Sequence, residues 1–406
     1  MNSKIDFIAI GDEILTGKIS DTNSTFVAQI LFDAGFELSE IHVIPDNLDQ
    51  IKNTLVRLSK HSRVVIVTGG LGPTSDDITV AAVCSWLGVE TEVHDPSKQK
   101  IISFFNARGR PIFPHSLKQA QIPKGAEIFF NEVGHAPGIK IQLGECVFYF
   151  MPGVPHEMKP MFEGQIWPSV RGLIGGGKRG KSRTWRCLDI TESDLQEKMN
   201  PIEADLPKGW RLGYRTTFPE NHLTLYGKSD RFEEVSKKIN SILGPFSYTT
   251  EPLEIEALVL KTLLARKQRI ALAESCTGGL VASRLSSLPD ASKVLWGSAV
   301  AYQVSAKDKL LGVSPVSPEE AVSQRCTLEL AKKVLRLSGA EVGAAITGYA
   351  GPTGGTEENP IGTVYLCVTD GSRTIEKRIQ FPSGRARQQI QWAGATYLFR
   401  TILNLF

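Results

Sequence analysis

The chain of 406 residues has no histidine after His222, and its seven histidines are scattered without H-E-x-x-H or other zinc spacing. A Ser-His-Asp triad therefore cannot be assembled from the C-terminal third. The six cysteines, at positions 84, 146, 187, 276, 326 and 367, contain no C-x-x-C pair. A chain of this size needs no disulfides to build a core, so the cysteines are expected to be small buried hydrophobes. No apolar run approaches the ~20 residues of a membrane span. The opening MNSKIDFIAIGDEIL carries Asp6 where a secretory leader would be apolar. A net charge of +3 excludes a global polycation built for nucleic acid. These absences predict a soluble, cytoplasmic protein, and the length predicts two or three domains.

Residues 4 to 170 alternate short apolar runs with amphipathic stretches. IDFIAIG (5–11), RVVIVTGG (63–70) and VFYFMPG (147–153) read as buried parallel strands ending in glycine, while TNSTFVAQILFDAG and LDQIKNTLVRLSKH carry helical spacing. The pattern predicts an α/β, doubly wound parallel-sheet domain over residues 1–172, with ligands at the carboxyl ends of its strands. Gly175 to Ser182 satisfies the letter of a phosphate loop, but a helix precedes it and a strand follows, so a flexible basic linker is expected instead. Residues 183–248 read strand, helix, strand, strand, helix, a small α+β module of KH-like order, with Ser193 and Gln196 as a capping pair and Pro219, Glu220 and Asn221 as a hairpin turn. A spacer or dimerisation role fits it, and nucleic-acid binding is not expected because it lacks a GXXG clamp. Residues 252–406 form a third, α/β unit.

In the first domain TGGLGPTSDD (68–77) joins a strand to a helix. Gly69, Gly70 and Gly72 let main-chain amides approach a ligand, Thr74 and Ser75 supply hydroxyls, and the helix start favours phosphate or pyrophosphate. Asp76 and Asp77 would repel bare phosphate, so they are either helix caps or ligands of a hard divalent cation. Asp12, Glu13 and Asp46 add acids at two further strand ends.

In the last domain AESCTGG (273–279) breaks a strand into a helix and leaves Ser275, Cys276 and Thr277 with Gly278 and Gly279 at a helix start, where a hydroxyl can attack a carbonyl and free amides can hold an anion. The alternative is a capped helix with satisfied hydroxyls. Without histidine the base must be a lysine or tyrosine, and Lys307 and Tyr302 follow a strand-like SAVAYQ. Ser275 is preferred to Cys276 as nucleophile because a thiolate needs a depressed pKa. The stretch from Thr347 through Gly348, Gly351, Gly354 and Gly355 reads as a main-chain pocket for phosphate or ribose, and Arg385 or Arg387 would pair with phosphate.

GDEILTG, DTN, TGGLGPTSDDIT, KQAQIP, HAPG and MPGVPHEM resemble the N-terminal domain of the CinA (competence/damage-inducible) family, itself similar to molybdopterin-binding proteins. AESCTGG, GSAVAYQVSAK and TGYAGPTGG resemble the family's C-terminal domain, a nicotinamide mononucleotide amidohydrolase. The resemblance implies deamidation of nicotinamide mononucleotide in pyridine-nucleotide salvage without a cofactor, with Ser275 as nucleophile, Lys307 as base, Tyr302 as orienting group and Arg385 on the phosphate. It also implies hydrolysis of ADP-ribose in the first domain with a divalent metal (Mg, Mn or Co) near Asp46 and Asp77, and a homodimer. The chain departs from the family pattern at Asp12, His135, Gln303, Val304 and Ser383. A nucleotide-sensing protein and a pterin adenylyl-transfer enzyme are the alternative functions.

Overall fold

The computed structural model of the chain describes residues 4–175, 181–227, 231–314, 317 and 320–406. It divides into two compact units, Met1–Lys181 and Ser182–Phe406. Five residues of the expected linker, 176–180, lie outside the described residues.

The first unit is built on a six-stranded sheet. Strands β1 (Ile5–Ile10), β2 (Glu40–Ile44), β3 (Val64–Thr68) and β8 (Cys146–Met151) are parallel, whereas β6 (Glu127–Phe129) and β7 (Gly138–Leu143) complete it antiparallel in the order β2-β1-β3-β8-β7-β6. Strands β4 (Thr91–Val93) and β5 (Gln121–Pro123) form a separate ribbon. Every residue of β1, β3 and β8 is buried. The reason is two-sided cover: Ile8, Val65 and Val67 pack on Ile51, Leu55 and Val83 of the helices Leu48–Ser59 and Thr79–Leu87, while Phe7, Val64 and Ile66 pack on Val27 and Met158 of Thr22–Asp33 and Pro155–Met161. The chain runs from β1 to β2 on one side and returns to β3 on the other. That reversal opens a crevice at the carboxyl ends of β1 and β3.

In the second unit, residues 183–248 carry their own core of Trp185, Leu195, Leu223 and Ile239, between two helices and a sheet of β9 (Lys181–Cys187), β10 (Arg211–Thr217), β11 (Glu220–Gly227) and β12 (Ser247–Thr249), ordered β10-β11-β9-β12. Three details differ from the sequence reading. Thr191, not Ser193, caps the helix Glu192–Ala204 by accepting from the Asp194 amide, because the helix starts one residue before Ser193. The hairpin turn is Phe218 and Pro219, with Glu220 and Asn221 already paired in β11. The short strand β12 was not anticipated.

The remaining sheet holds β13 (Ile270–Glu274), β14 (Leu295–Val300), β15 (Val342–Gly348), β16 (Thr363–Thr369) and β17 (Thr374–Gln380), ordered β14-β13-β15-β16-β17, with the first three mutually parallel and the last two antiparallel. One face, Ile270, Leu272, Ala344 and Ile346, meets the helices Ile255–Arg266 and Arg387–Asn404. The other is nearly all alanine, Ala271, Ala273 and Ala345, so the helix Gln324–Ser338 lies close on it. A Cβ on Gly343 would fall 2.5 Å from the Ala331 carbonyl oxygen, which shows how close.

Candidate active site

Strand β13 ends at Glu274, inside the AESCTGG segment, and the Ser275 amide still donates to the Ile346 carbonyl at 3.1 Å. The nucleophile candidate is thereby fixed to the sheet. Ser275 is buried, and Lys307, on the helix Val304–Leu311, is 2% exposed. The lysine Nζ donates to Ser275 Oγ at 2.9 Å and to the Ala301 carbonyl at 2.9 Å. No carboxylate pairs with it among the described residues, and burial pushes the amine below its ordinary value. Burial pushes the neighbouring Cys276 thiol the other way, up to about 12, which leaves it protonated and inert at neutral pH.

Tyr302 is half exposed, and its hydroxyl accepts a hydrogen bond from Arg387. Arg387 also donates to the Gly351 carbonyl, so this arginine ties the glycine loop to Tyr302. Arg385 goes elsewhere: its guanidinium lies 4.2 Å from the Phe218 ring centroid. The expected phosphate ligand is thus stacked on an aromatic of the small module, and Arg387 takes the place beside Tyr302.

Thr347 adjoins Ser275 across the β13–β15 register but is fully buried, and its hydroxyl shares a 2.7 Å hydrogen bond with Thr327. It is turned into the core. The glycines after it are largely accounted for by the loop's own packing. A Cβ on Gly348 would sit 2.7 Å from the Thr363 carbonyl oxygen, on Gly351 2.8 Å from Ile361, on Gly354 3.4 Å from the Tyr349 ring and on Gly355 2.9 Å from the Ile361 amide.

The residue that the sequence reading passed over is Glu274. Its carboxylate accepts from the Thr277 hydroxyl and from the Gly279, Val281 and Ala282 amides, and so takes up the helix start that was expected to hold an anion. Gly278 and Gly279 turn the chain there with φ of +62° and +100°. Among the described residues the Cys276 and Thr277 amides donate to no main-chain oxygen, and the Cys276 amide lies against its own thiol. Both stand next to Ser275, where amides could donate to an oxyanion. An acid directly before small residues at an uncapped helix start was the available signal.

In the first unit a cleft of about 570 Å³ opens at the carboxyl ends of β1, β3 and β8, lined by Glu13, Asp46, Gly69, Gly70, Asp76 and Gln119 among others. Asp46 accepts from the Asp12 amide at 3.1 Å, and burial, together with the nearby acids, raises its carboxyl above the usual range. Asp77 accepts from the Thr74 amide at 2.8 Å and from its hydroxyl at 2.6 Å, so it ties the loop instead of capping the helix Thr79–Leu87, which has no side-chain cap. Gly72 leaves room for that carboxylate, since a Cβ would lie 2.5 Å from it. Ser75 and Asp76 are exposed, and the Thr79 hydroxyl and amide secure the Gly69 and Gly70 carbonyls. Among the described residues no three His, Cys, Asp or Glu side chains come close enough to hold a metal ion. Asp46, Asp76 and Asp77 therefore do not form a metal site by themselves, and among the described residues no helix is long and apolar enough to cross a membrane.

A doubly wound domain with a cleft at its strand ends, followed by a domain with a buried serine–lysine pair, defines the class. Residues 6–172 match the model of the probable molybdopterin binding domain and residues 253–405 that of the CinA C-terminal domain. A CinA-like protein of Desulfosudis oleivorans is 36% identical over 397 residues, covering 92% of this chain and 96% of that one. Another, from Myxococcus xanthus, is 34% identical over 406 residues, covering 97% and 96%. A crystal structure of the protein CinA of Thermoplasma acidophilum is 30% identical across 41% of this chain and 98% of its own, with a TM-score of 0.38. The chain belongs to the CinA-like protein family.

Proposed function

We propose that the second unit is an amidohydrolase that converts nicotinamide mononucleotide to nicotinate mononucleotide and ammonia. The observation that carries the reading is the buried Lys307 amine on the Ser275 hydroxyl, with no carboxylate among the described residues to hold it charged. In its neutral form Lys307 takes the proton as Ser275 Oγ attacks the carboxamide carbon. The oxyanion lies against the Cys276 and Thr277 amides. The ammonium of Lys307 then protonates the departing nitrogen, the C–N bond breaks, and ammonia leaves an acyl ester on Ser275. Water attacks that ester, its proton passing to Lys307, and the carboxylate is released as Ser275 regains its proton. The substrate itself is taken from the family resemblance.

Arg387 is assigned to the nucleotide phosphate, for which it would exchange its bond to Tyr302. Arg387→Ala should raise KM for nicotinamide mononucleotide about 10- to 100-fold with a smaller effect on kcat, while Arg385→Ala should leave KM within about 3-fold. Cys276→Ala should retain activity within about 10-fold, since a thiol held near 12 contributes no thiolate at neutral pH. Steady-state kinetics on the two arginine variants and the cysteine variant check all three.

The test of the reading is ammonia release from nicotinamide mononucleotide by the intact chain, with and without chelator. Release that survives chelation supports it. Binding without release makes the unit a sensor. For the first unit, the cleft and its glycine loop support binding and hydrolysis of a nucleoside pyrophosphate such as ADP-ribose. Because the side chains present do not preform a metal site, no step is assigned to a metal there; ADP-ribose hydrolysis with and without Mg, Mn or Co tests that dependence.

A further inference from the structure

Glu274 is 1% exposed, and no arginine, lysine or histidine pairs with it among the described residues. Five donors converge on its carboxylate instead. One oxygen accepts from the Thr277 hydroxyl at 2.8 Å, the Gly279 amide at 3.1 Å and the Val281 amide at 3.0 Å. The other accepts from the Ala282 amide at 2.9 Å and the Ser298 hydroxyl, on the adjacent strand β14, at 3.0 Å.

An ordinary helix is capped from the residue directly before it, by a short polar side chain that satisfies one or two amides. The helix Leu280–Ser286 has Gly279 in that position, with no side chain to offer. A side chain there would start from φ +100° with its Cβ 3.6 Å from Val300. Gly278 instead faces open space, because a Cβ on it would meet no atom within 4 Å. The capping group arrives from beneath, out of the sheet, and leaves the outer side of the turn clear. Since Glu274 directly precedes Ser275, the group that gathers the turn also sets the height of the nucleophile.

We infer that Glu274 is a positioning residue for Ser275: by drawing the 277–282 turn onto one buried carboxylate, it holds the Ser275 hydroxyl against Lys307 and leaves the Cys276 and Thr277 amides open to the reacting carbonyl oxygen. The inference rests on the amidohydrolase reading of this site. Glu274→Gln keeps shape and size but replaces one accepting oxygen with an NH2 group, which faces donors whichever way the amide lies. Ser275 then loses its fixed geometry while the nucleotide contacts remain.

The experiment is steady-state hydrolysis of nicotinamide mononucleotide by full-length Glu274→Gln and Ser298→Ala, with thermal melts, alongside acetylation of Ser275 by p-nitrophenyl acetate. Glu274→Gln should melt cooperatively, keep KM within about 3-fold and lose kcat about 100-fold, with Ser275 acetylation slowed in parallel. A folded Glu274→Gln with kcat within about 3-fold of the parent, or one that loses KM and kcat alike, overturns the inference. Should that variant fail to fold, Ser298→Ala carries the test: removal of one donor should lower kcat about 3- to 10-fold at constant KM, and an unchanged kcat overturns the inference. A parent chain that acetylates Ser275 but releases no ammonia sinks the substrate assignment alone, because the acetylation rates still report on Glu274.

Discussion

Lys307→Met should lower nicotinamide mononucleotide hydrolysis by about 10³-fold or more, a loss typical of removing a general base that acts as a unit with its nucleophile. Methionine fills the space but can neither take the Ser275 proton nor return it to the leaving nitrogen. The same variant should change how stability depends on pH. The amine lies below its ordinary 10.5 in the folded protein because burial penalises its charge. Between the lowered value and 10.5 the unfolded chain binds more protons than the folded one, so this lysine makes stability rise with pH across that window. Below the window its full cost is present; above it the cost is gone. The stability of Lys307→Met relative to the parent should therefore decline as pH climbs through the window, in denaturant melts taken at several pH values. Activity of the parent should rise with pH through the lowered value, since only the neutral amine accepts a proton. A flat activity profile together with a parallel shift in stability would remove Lys307 from the role of base.

Gly69→Ala should destabilise the first unit by about 3 kcal/mol or more. The residue has φ +106°, and a Cβ would stand 2.1 Å from the Ile10 carbonyl oxygen at the end of β1, which is main chain and cannot swing aside. Either β1 and β3 part at their carboxyl ends or the loop to Asp77 is rebuilt. Gly144→Ala, at φ +59° with no atom within 4 Å of the added Cβ, should cost only about 1 kcal/mol. Hydrogen exchange of the β1 and β3 amides would locate the effect, with faster exchange in the first variant and near-parent rates in the second. Equal costs would mean that the Gly69 loop relaxes freely and is not the rigid wall of the cleft.

The three strands buried on both faces were legible because their apolar runs are continuous, and alternate residues such as Phe7 and Ile8 serve opposite cores. The absence of histidine left lysine or tyrosine as the base for Ser275, with Lys307 and Tyr302 both open, and the family resemblance pointed to Lys307. What escaped was a matter of one or two residues. Glu274 was hidden because an acid inside a strand end does not announce a cap for a helix six residues on. Arg385 and Arg387 differ by two positions at the start of a helix, and spacing does not say which turns toward Gly351 and which onto Phe218. Thr347 has the composition of a site residue, yet the strand's alternation directs its hydroxyl to Thr327. In the first unit the acids at three strand ends are legible in the sequence, but only a structure shows that Asp77, while lining the cleft with Asp46 and Asp76, also ties the loop through the Thr74 amide and hydroxyl.

The most direct measurement is ammonia release from nicotinamide mononucleotide by chelator-treated Ser275→Ala, assayed beside the equally treated parent chain and the Cys276→Ala variant. The account predicts release by the parent and by Cys276→Ala, and a rate lower by about 10³-fold or more in Ser275→Ala. Turnover by Ser275→Ala within about tenfold of the parent would contradict it, and the hydroxyl beside Lys307 would not be the nucleophile.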